Sequence, residues 1–386
     1  MKYDFNKVID RRNSNSSKWN VKEGEISMSI ADMDFQVADR IIEAVKHKAD
    51  FGVFGYSDVA DSYFEAYQKW WLTHHGFKME KEWMIFATGV VPAISSIVRK
   101  LTTVNENVLI QAPVYNIFYN SIINNGRRVL SSDLVYKNHR YEIDFDDLES
   151  KLADPQTSLM ILCNPHNPIG KIWDRDTLAR IGDLCAKHHV IVLSDEIHCD
   201  LTLSDKGYIP FASVNEVCAN NSITCLSASK AFNLAGLQAA CVVVANPYLR
   251  HKVNRGLNTD EVAEPNVFAI DAVVAAFDSF DWLKECREYI RENRAYAKQQ
   301  LQENLSDVFV IEAEATYLLW IDCSNVSDDV ERLCDHLREQ HGLIVSDGLI
   351  YGANGQGFIR MNIACPRSIL EEGIKRFIEG VLDFDK

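Results

Sequence analysis

The chain has 386 residues, 47% of them hydrophobic, and a formal net charge of −15 at pH 7. That length exceeds what a single apolar core serves, so two packed units are expected, and the apolar content suffices for both. The acidic balance argues against a nucleic-acid or anionic-membrane partner, because affinity for phosphate is built from clustered Lys and Arg.

In chain order, Met1-Lys2-Tyr3-Asp4 opens with alternating charge where a secretory leader would be apolar, so a cytoplasmic chain is expected. The ten cysteines fit reduced thiols: none forms a Cys-x-x-Cys pair, no Cys/His spacing suits zinc, and no metal site is expected. Between 83 and 246, short apolar runs alternate with helical patterns, at Trp83–Ala87, Asn107–Gln111, Arg128–Ser131, Leu159–Cys163, Val190–Ser194, Ile223–Leu226 and Ala240–Ala245. This rhythm predicts an α/β fold with a mostly parallel seven-stranded sheet covered by helices. Several runs end at residues with chemistry to offer: Gly89, Pro113, Asn164, Asp195 and Ser227. Ligands of open α/β sheets bind beyond the carboxyl ends of strands, so these residues should converge on one edge.

After Pro265 one long helical stretch is expected to run to about Asn304. Its apolar window Val267–Phe277 is broken by Asp271 and is shorter than the roughly 20 residues that cross a bilayer, so no membrane span is expected. Beyond it, strand-like runs at Phe309–Ile311, Tyr317–Ile321, Leu343–Val345 and Phe358–Ile363 interleave with helices at about 327–340 and 366–382. They predict a second, smaller α+β unit. The division expected is a large unit over 46–282 and a small unit over 283–386, with residues 1–45, which have no place in the parallel sheet, as an N-terminal arm.

Three pieces occur in order: Asn167-Pro168-Ile169-Gly170, Ser194-Asp195-Glu196 and Ser227-Ala228-Ser229-Lys230. Together they suggest a lysine that holds pyridoxal 5'-phosphate. Lys230 would form the Schiff base and later remove the substrate's α proton, Asp195 would keep the pyridine nitrogen protonated, and the hydroxyls of Ser227 and Ser229 would hold phosphate. The step Gly89-Val90-Val91 before a helical pattern would add backbone N–H groups at a helix start, with Pro92 suited to the first turn. Ser-x-x-Lys is also the nucleophile motif of serine β-lactam hydrolases, but their Ser-Asp-Asn and Lys-Thr-Gly tripeptides are absent. An apolar strand ending in Asp-Glu also resembles a magnesium site for a nucleotide, but no Gly-x-x-x-x-Gly-Lys-Ser/Thr loop accompanies it.

The chain resembles the fold-type I pyridoxal-phosphate enzymes of the class I and II aminotransferase superfamily, and within it the carbon–sulfur β-lyase (cystathionine β-lyase) branch. The resemblance covers nearly the whole chain. It is carried by Ala31-Asp32-Met33-Asp34-Phe35, Phe54-Gly55-Tyr56, Thr88 to Pro92, Pro113-Val114-Tyr115, Asn164 to Gly170, Ser194 to His198, Ser227 to Lys230, Phe232 to Leu237 and Phe358 to Asn362. It implies that Asn167 and His198 lie near the cofactor's phenolic oxygen and that Tyr115 stacks on the ring and helps move a proton. Arg360 would grip the substrate's α-carboxylate. Tyr56 would reach the phosphate of a neighbouring subunit in a homodimer. One departure stands out: the arginine expected eight residues after the lysine is Gln238.

The cofactor motifs do not choose between transamination and loss of a β substituent. The branch resembled implies cleavage of L-cystathionine, L-cysteine or a related S-conjugate to a thiol (hydrogen sulfide from cysteine), pyruvate and ammonia. Transamination is the alternative, and a regulatory role through protein contact is a second.

Overall fold

The computed structural model describes residues 2–384, so Met1 and the last two residues of the expected small unit lie outside the described residues. All seven anticipated runs form one sheet: β1 (Met84–Ala87), β2 (Asn107–Ile110), β3 (Arg128–Ser131), β4 (Thr157–Cys163), β5 (Ile191–Asp195), β6 (Ser222–Leu226) and β7 (Ala240–Val243). Their spatial order is β1-β7-β6-β5-β4-β2-β3. The five strands from β6 to β3 run parallel, and β7 is antiparallel to both of its neighbours. Helices cover both faces, which is why the central strands read as continuous apolar runs. In register, Cys163 pairs with Asp195 and Asp195 with Cys225, so β4, β5 and β6 end level. From β4 the chain winds outward one way through β5 and β6, whereas β2 and β3 lie on the other side. The crevice of such a sheet opens at this switch, between the ends of β2 and β4.

A second, four-stranded antiparallel sheet follows, made of β8 (Phe309–Val310), β9 (Leu318–Asp322), β10 (Ser346–Asp347) and β11 (Phe358–Asn362) in the order β8-β9-β11-β10. Helices Val330–His341 and Arg367–Asp383 accompany it, as expected. The run expected as one strand at 343–345 instead changes partner. Leu343–Ile344 pairs in parallel with Ile26–Ser27, which fastens the N-terminal arm, and Ser346–Asp347 turns to β11.

The single helix expected up to Asn304 is two, Ala269–Phe277 and Phe280–Asn304. The buried Ser279 makes the break: its hydroxyl donates back to the Ala275 carbonyl at 2.8 Å, and its own carbonyl accepts the N–H groups of Trp282 and Leu283. A hairpin not anticipated, Val135–Lys137 with Arg140–Glu142, turns through Asn138 and His139, both at positive φ. Its Tyr136 donates to Asp322 of β9 at 2.6 Å and tethers the hairpin to the small sheet. One continuous apolar cluster joins Trp70, Phe232 and Trp282 to Leu319 and Ile359 of the small sheet. Among the described residues no helix is long and apolar enough to cross a membrane.

Candidate active site

A cavity of about 230 Å³ opens at the carboxyl ends of the parallel strands. The level ends of β4, β5 and β6 deliver Asn167, Asp195 with His198, and Lys230 to it, while the loop after β2 brings Tyr115 across the switch. From the β1 side come Gly89, Val90 and Val91, and Ser229 and Gln238 complete the same end.

Asp195 is buried, and among the described residues its Oδ1 accepts only the Ile197 N–H, at 3.1 Å. Burial raises its carboxyl to about 7, partly offset by that N–H and by Lys230. The next residue differs in role: Glu196 is tied up by Ser194, Tyr208 and the Phe211 N–H, so its carboxylate is structural. Lys230 donates from Nζ to the Ala31 carbonyl at 2.6 Å. Burial, helped by Arg360, lowers its ammonium to about 8, against the pull of Asp32 and Asp195. His198 is lowered to about 3 by burial and by the charges of Lys230 and Arg360, so the ring is neutral at pH 7, and among the described residues its buried Nδ1 has no partner. Tyr115 is raised to about 12, chiefly by burial, and keeps its proton at neutral pH.

Arg360, buried in β11, stands beside the cavity. Its Nη2 donates to the Ser29 carbonyl at 2.9 Å and its Nη1 to Asn167 Oδ1 at 3.3 Å, while Nε has no partner among the described residues. Among the described residues no carboxylate pairs with it, and its guanidinium lies 4.8 Å from the centre of the Tyr351 ring. A buried cation with an idle donor is suited to an anionic ligand group. Asn167 spends its oxygen on Arg360, which leaves its NH₂ as the end available to donate.

The helix Val90–Leu101 starts at Gly89 with no side-chain cap, so its first N–H groups are left for a ligand. A Cβ at Gly89 would stand 3.2 Å from Pro92 Cδ, which keeps this step tight. Ser227 is placed differently from Ser229. It is buried outside the cavity lining, donating to the Ala239 carbonyl at 2.7 Å and accepting the Ser229 N–H at 3.1 Å. Its hydroxyl therefore shapes the turn that presents Ser229 and Lys230. Tyr56 is fully exposed and does not line this chain's cavity.

Sequence reasoning missed Ala31, Tyr317 and Asn233 as parts of the site. The Tyr317 hydroxyl donates to the same Ala31 oxygen as Lys230, at 2.9 Å, and Asn233 grips Met33 and Phe35. A carbonyl has no sequence signature. Only the motif Ala31 to Phe35 and the Asn in Phe232 to Leu237 hinted at this clasp.

The family model described as aminotransferase class I and II matches residues 23–377. The chain belongs to this family. It is 38% identical to cystathionine beta-lyase PatB of Bacillus subtilis over 97% of this chain and 98% of that one. It is 32% identical to protein MalY of Escherichia coli over 98% and 99%. Among solved structures, cystalysin from Treponema denticola, which contains a pyridoxal 5'-phosphate cofactor, superposes with a TM-score of 0.96 at 30% identity, covering 100% of both chains. Within this member of the family, then, the expected α/β architecture and the gathering of Lys230, Asp195, Asn167, His198, Tyr115 and Ser229 at one cavity are both present.

Proposed function

We propose that the chain is a pyridoxal-phosphate-dependent carbon–sulfur β-lyase acting on L-cystathionine, L-cysteine or a related S-conjugate. The cofactor is supported by the pairing, in one cavity, of Lys230 with a buried Asp195, and what carries the lyase reading over transamination is the 38% identity, along nearly the whole chain, to cystathionine beta-lyase PatB. The residues fit the cofactor. Asp195 suits a protonated ring nitrogen, the uncapped start of Val90–Leu101 with Ser229 suits phosphate, and Asn167 and the neutral His198 suit the phenolic oxygen. When bound, pyridoxal phosphate supplies an aldehyde for an amine and a ring that accepts the electron pair left by the α proton.

The chain's own groups do the rest. Arg360 holds the substrate carboxylate, and its contact with Asn167 aligns that grip with the cavity. Lys230, once free, takes the α proton, and its lowered pKa makes it a usable base near neutrality. Asp195 keeps the ring proton in place. Tyr115 stays protonated and offers a hydrogen bond. The C–S bond then breaks with its electron pair on sulfur, and a thiolate of ordinary pKa about 8.5 leaves without a strong general acid. Water converts the remaining carbon skeleton to pyruvate and ammonia.

The same reading includes a cofactor-holding unit over 46–282 and a substrate-gripping unit over 283–386, fastened by the arm over 1–45. It also includes a homodimer in which Tyr56 serves the neighbouring site. The exposed Phe51, Val53, Phe54 and Tyr56 and the neutral Gln238 at the phosphate end support that assembly. Ten free cysteines support a reducing, cytoplasmic setting.

The test is direct. Incubation with L-cystathionine should release pyruvate and a free thiol, and borohydride reduction followed by peptide mass spectrometry should place the cofactor on Lys230. Robust glutamate formation from 2-oxoglutarate and an amino acid without a leaving group, with no pyruvate from cystathionine, would assign the chain to transamination instead.

A further inference from the structure

The arm segment from Ser29 to Phe35 presents its carbonyls to side chains from distant parts of the chain. Arg360 takes Ser29, Asn362 takes Ile30 and Asp32 at 2.6 and 2.7 Å, and Lys230 and Tyr317 share Ala31. Asn233 closes the set with three hydrogen bonds. It accepts the Met33 N–H at 3.0 Å and donates to the carbonyls of Met33 at 2.9 Å and Phe35 at 3.1 Å. Lys230 and Asn233 lie on one short turn, and both hold the same strip of backbone.

We propose that the Ala31 carbonyl oxygen is the resting place of the Lys230 amine whenever that amine is free of the cofactor, and that Asn233 is the positioning residue that fixes it there. This rests on Lys230 being the cofactor lysine. A lysine that alternates between covalent and free states has four rotatable stem bonds and would wander once released. A backbone acceptor tied to the lysine's own turn returns it to one spot, and a base misplaced by about 1 Å costs on the order of a hundredfold in rate. Asn233 sits at φ 58, a conformation that Asn, Asp and Gly adopt readily, so the residue serves the turn and the clasp together.

The charged and titratable groups facing the amine are Arg360 from β11, Asp32 from the arm, Asp195 from β5, the His198 ring and the Tyr317 hydroxyl that shares the Ala31 oxygen. Against burial and Arg360, which favour the neutral amine, a carbonyl acceptor favours the ammonium. Loosening the clasp therefore lowers the amine's pKa further.

The experiment uses the full-length protein, both loaded and after removal of the cofactor. Asn233→Gly keeps the turn conformation and removes the clasp, whereas Asn233→Ser keeps a small uncharged side chain with one donor in place of two. In the cofactor-free protein, reductive methylation of Lys230 is followed against pH by peptide mass spectrometry. Both variants should move the labelling midpoint down by about one pH unit. In the loaded enzyme the acidic limb of kcat should move the same way, with kcat down about tenfold and KM within about twofold. An unmoved midpoint and limb in a variant that melts like the wild type would overturn the proposal. If both variants melt early, Tyr317→Phe decides. It leaves the clasp intact and gives Lys230 sole use of the Ala31 oxygen, so the midpoint should rise, and no change counts against the proposal. A borohydride adduct on a lysine other than Lys230 would instead remove the functional reading, whatever the labelling shows.

Discussion

Arg360 Nη1 lies 3.3 Å from Asn167 Oδ1, so a buried arginine of the small sheet and the turn after β4 are bonded to each other at the cavity. Arg360→Lys keeps the charge but loses the planar fork, including the idle Nε. Two charge-assisted hydrogen bonds to a carboxylate are lost or weakened, and kcat/KM for an amino-acid substrate should fall about a hundredfold. Asn167→Ala should add less on top of Arg360→Lys than it costs alone, because the two share one contact. Strict additivity in that cycle would show that the bond has no energetic consequence.

Asp195→Asn should separate stability from activity. The folded carboxyl is raised to about 7, above the ordinary value it has when unfolded. Between about pH 4 and 7 the folded chain therefore holds a proton that the unfolded chain releases, and stability of the cofactor-free protein falls as pH rises through that window. An amide escapes that loss. At pH 7 the cofactor-free variant should melt higher than the wild type, and the gap should close toward pH 4, while lyase activity falls by several orders of magnitude. A variant that melts lower at pH 7 would mean that Asp195 is held by more than the Ile197 N–H and Lys230.

Six of the seven strands of the large sheet were legible because they are largely buried and so written mainly in apolar residues, and Asp195 could be placed at a strand end for the same reason; the edge strand Arg128–Ser131, exposed or half-buried throughout, was legible only from Val129-Leu130 and its place in the alternation. What escaped reading depends on partners remote in sequence. Ser279 splits a helix with a hydroxyl directed into its own preceding turn, and nothing in its neighbours announces that. The two-residue strands at Leu343–Ile344 and Ser346–Asp347 are too short to carry a pattern, so their different partners are set by the arm and by β11. Ser227 and Ser229 look alike in sequence, and only the Ala239 carbonyl, twelve residues further on, distinguishes a turn-former from a cavity residue.

Gln238 lines the cavity at the end where phosphate is expected, in the left-handed conformation at φ 52. Because Gln and Arg carry the same conformational cost there, Gln238→Arg adds a cation without new backbone strain. One charge-assisted hydrogen bond is worth about 1.5–3 kcal/mol, so cofactor affinity should rise tenfold or more in a fluorescence titration of the cofactor-free protein. Unchanged affinity would mean that the helix start and Ser229 already satisfy the phosphate.

Whether Tyr56 acts within its own chain or on a neighbour can be decided by mixing two inactive variants. Its side chain is fully exposed and absent from the cavity of its own chain, in a stretch that also exposes Phe51, Val53 and Phe54. Suppose Tyr56→Ala and Lys230→Ala chains are unfolded together and refolded into dimers. If Tyr56 crosses to the partner, each mixed dimer holds one complete site, with Lys230 from the first chain and Tyr56 from the second. Random pairing makes half the dimers mixed, so about a quarter of the wild-type sites should return. If Tyr56 serves its own chain, every site in the mixed dimer lacks one of the two residues, and no activity above that of the separate variants appears. Recovery near a quarter thus requires both the dimer and the crossing, whereas its absence in a mixture shown by sedimentation to be dimeric removes Tyr56 from the neighbouring site.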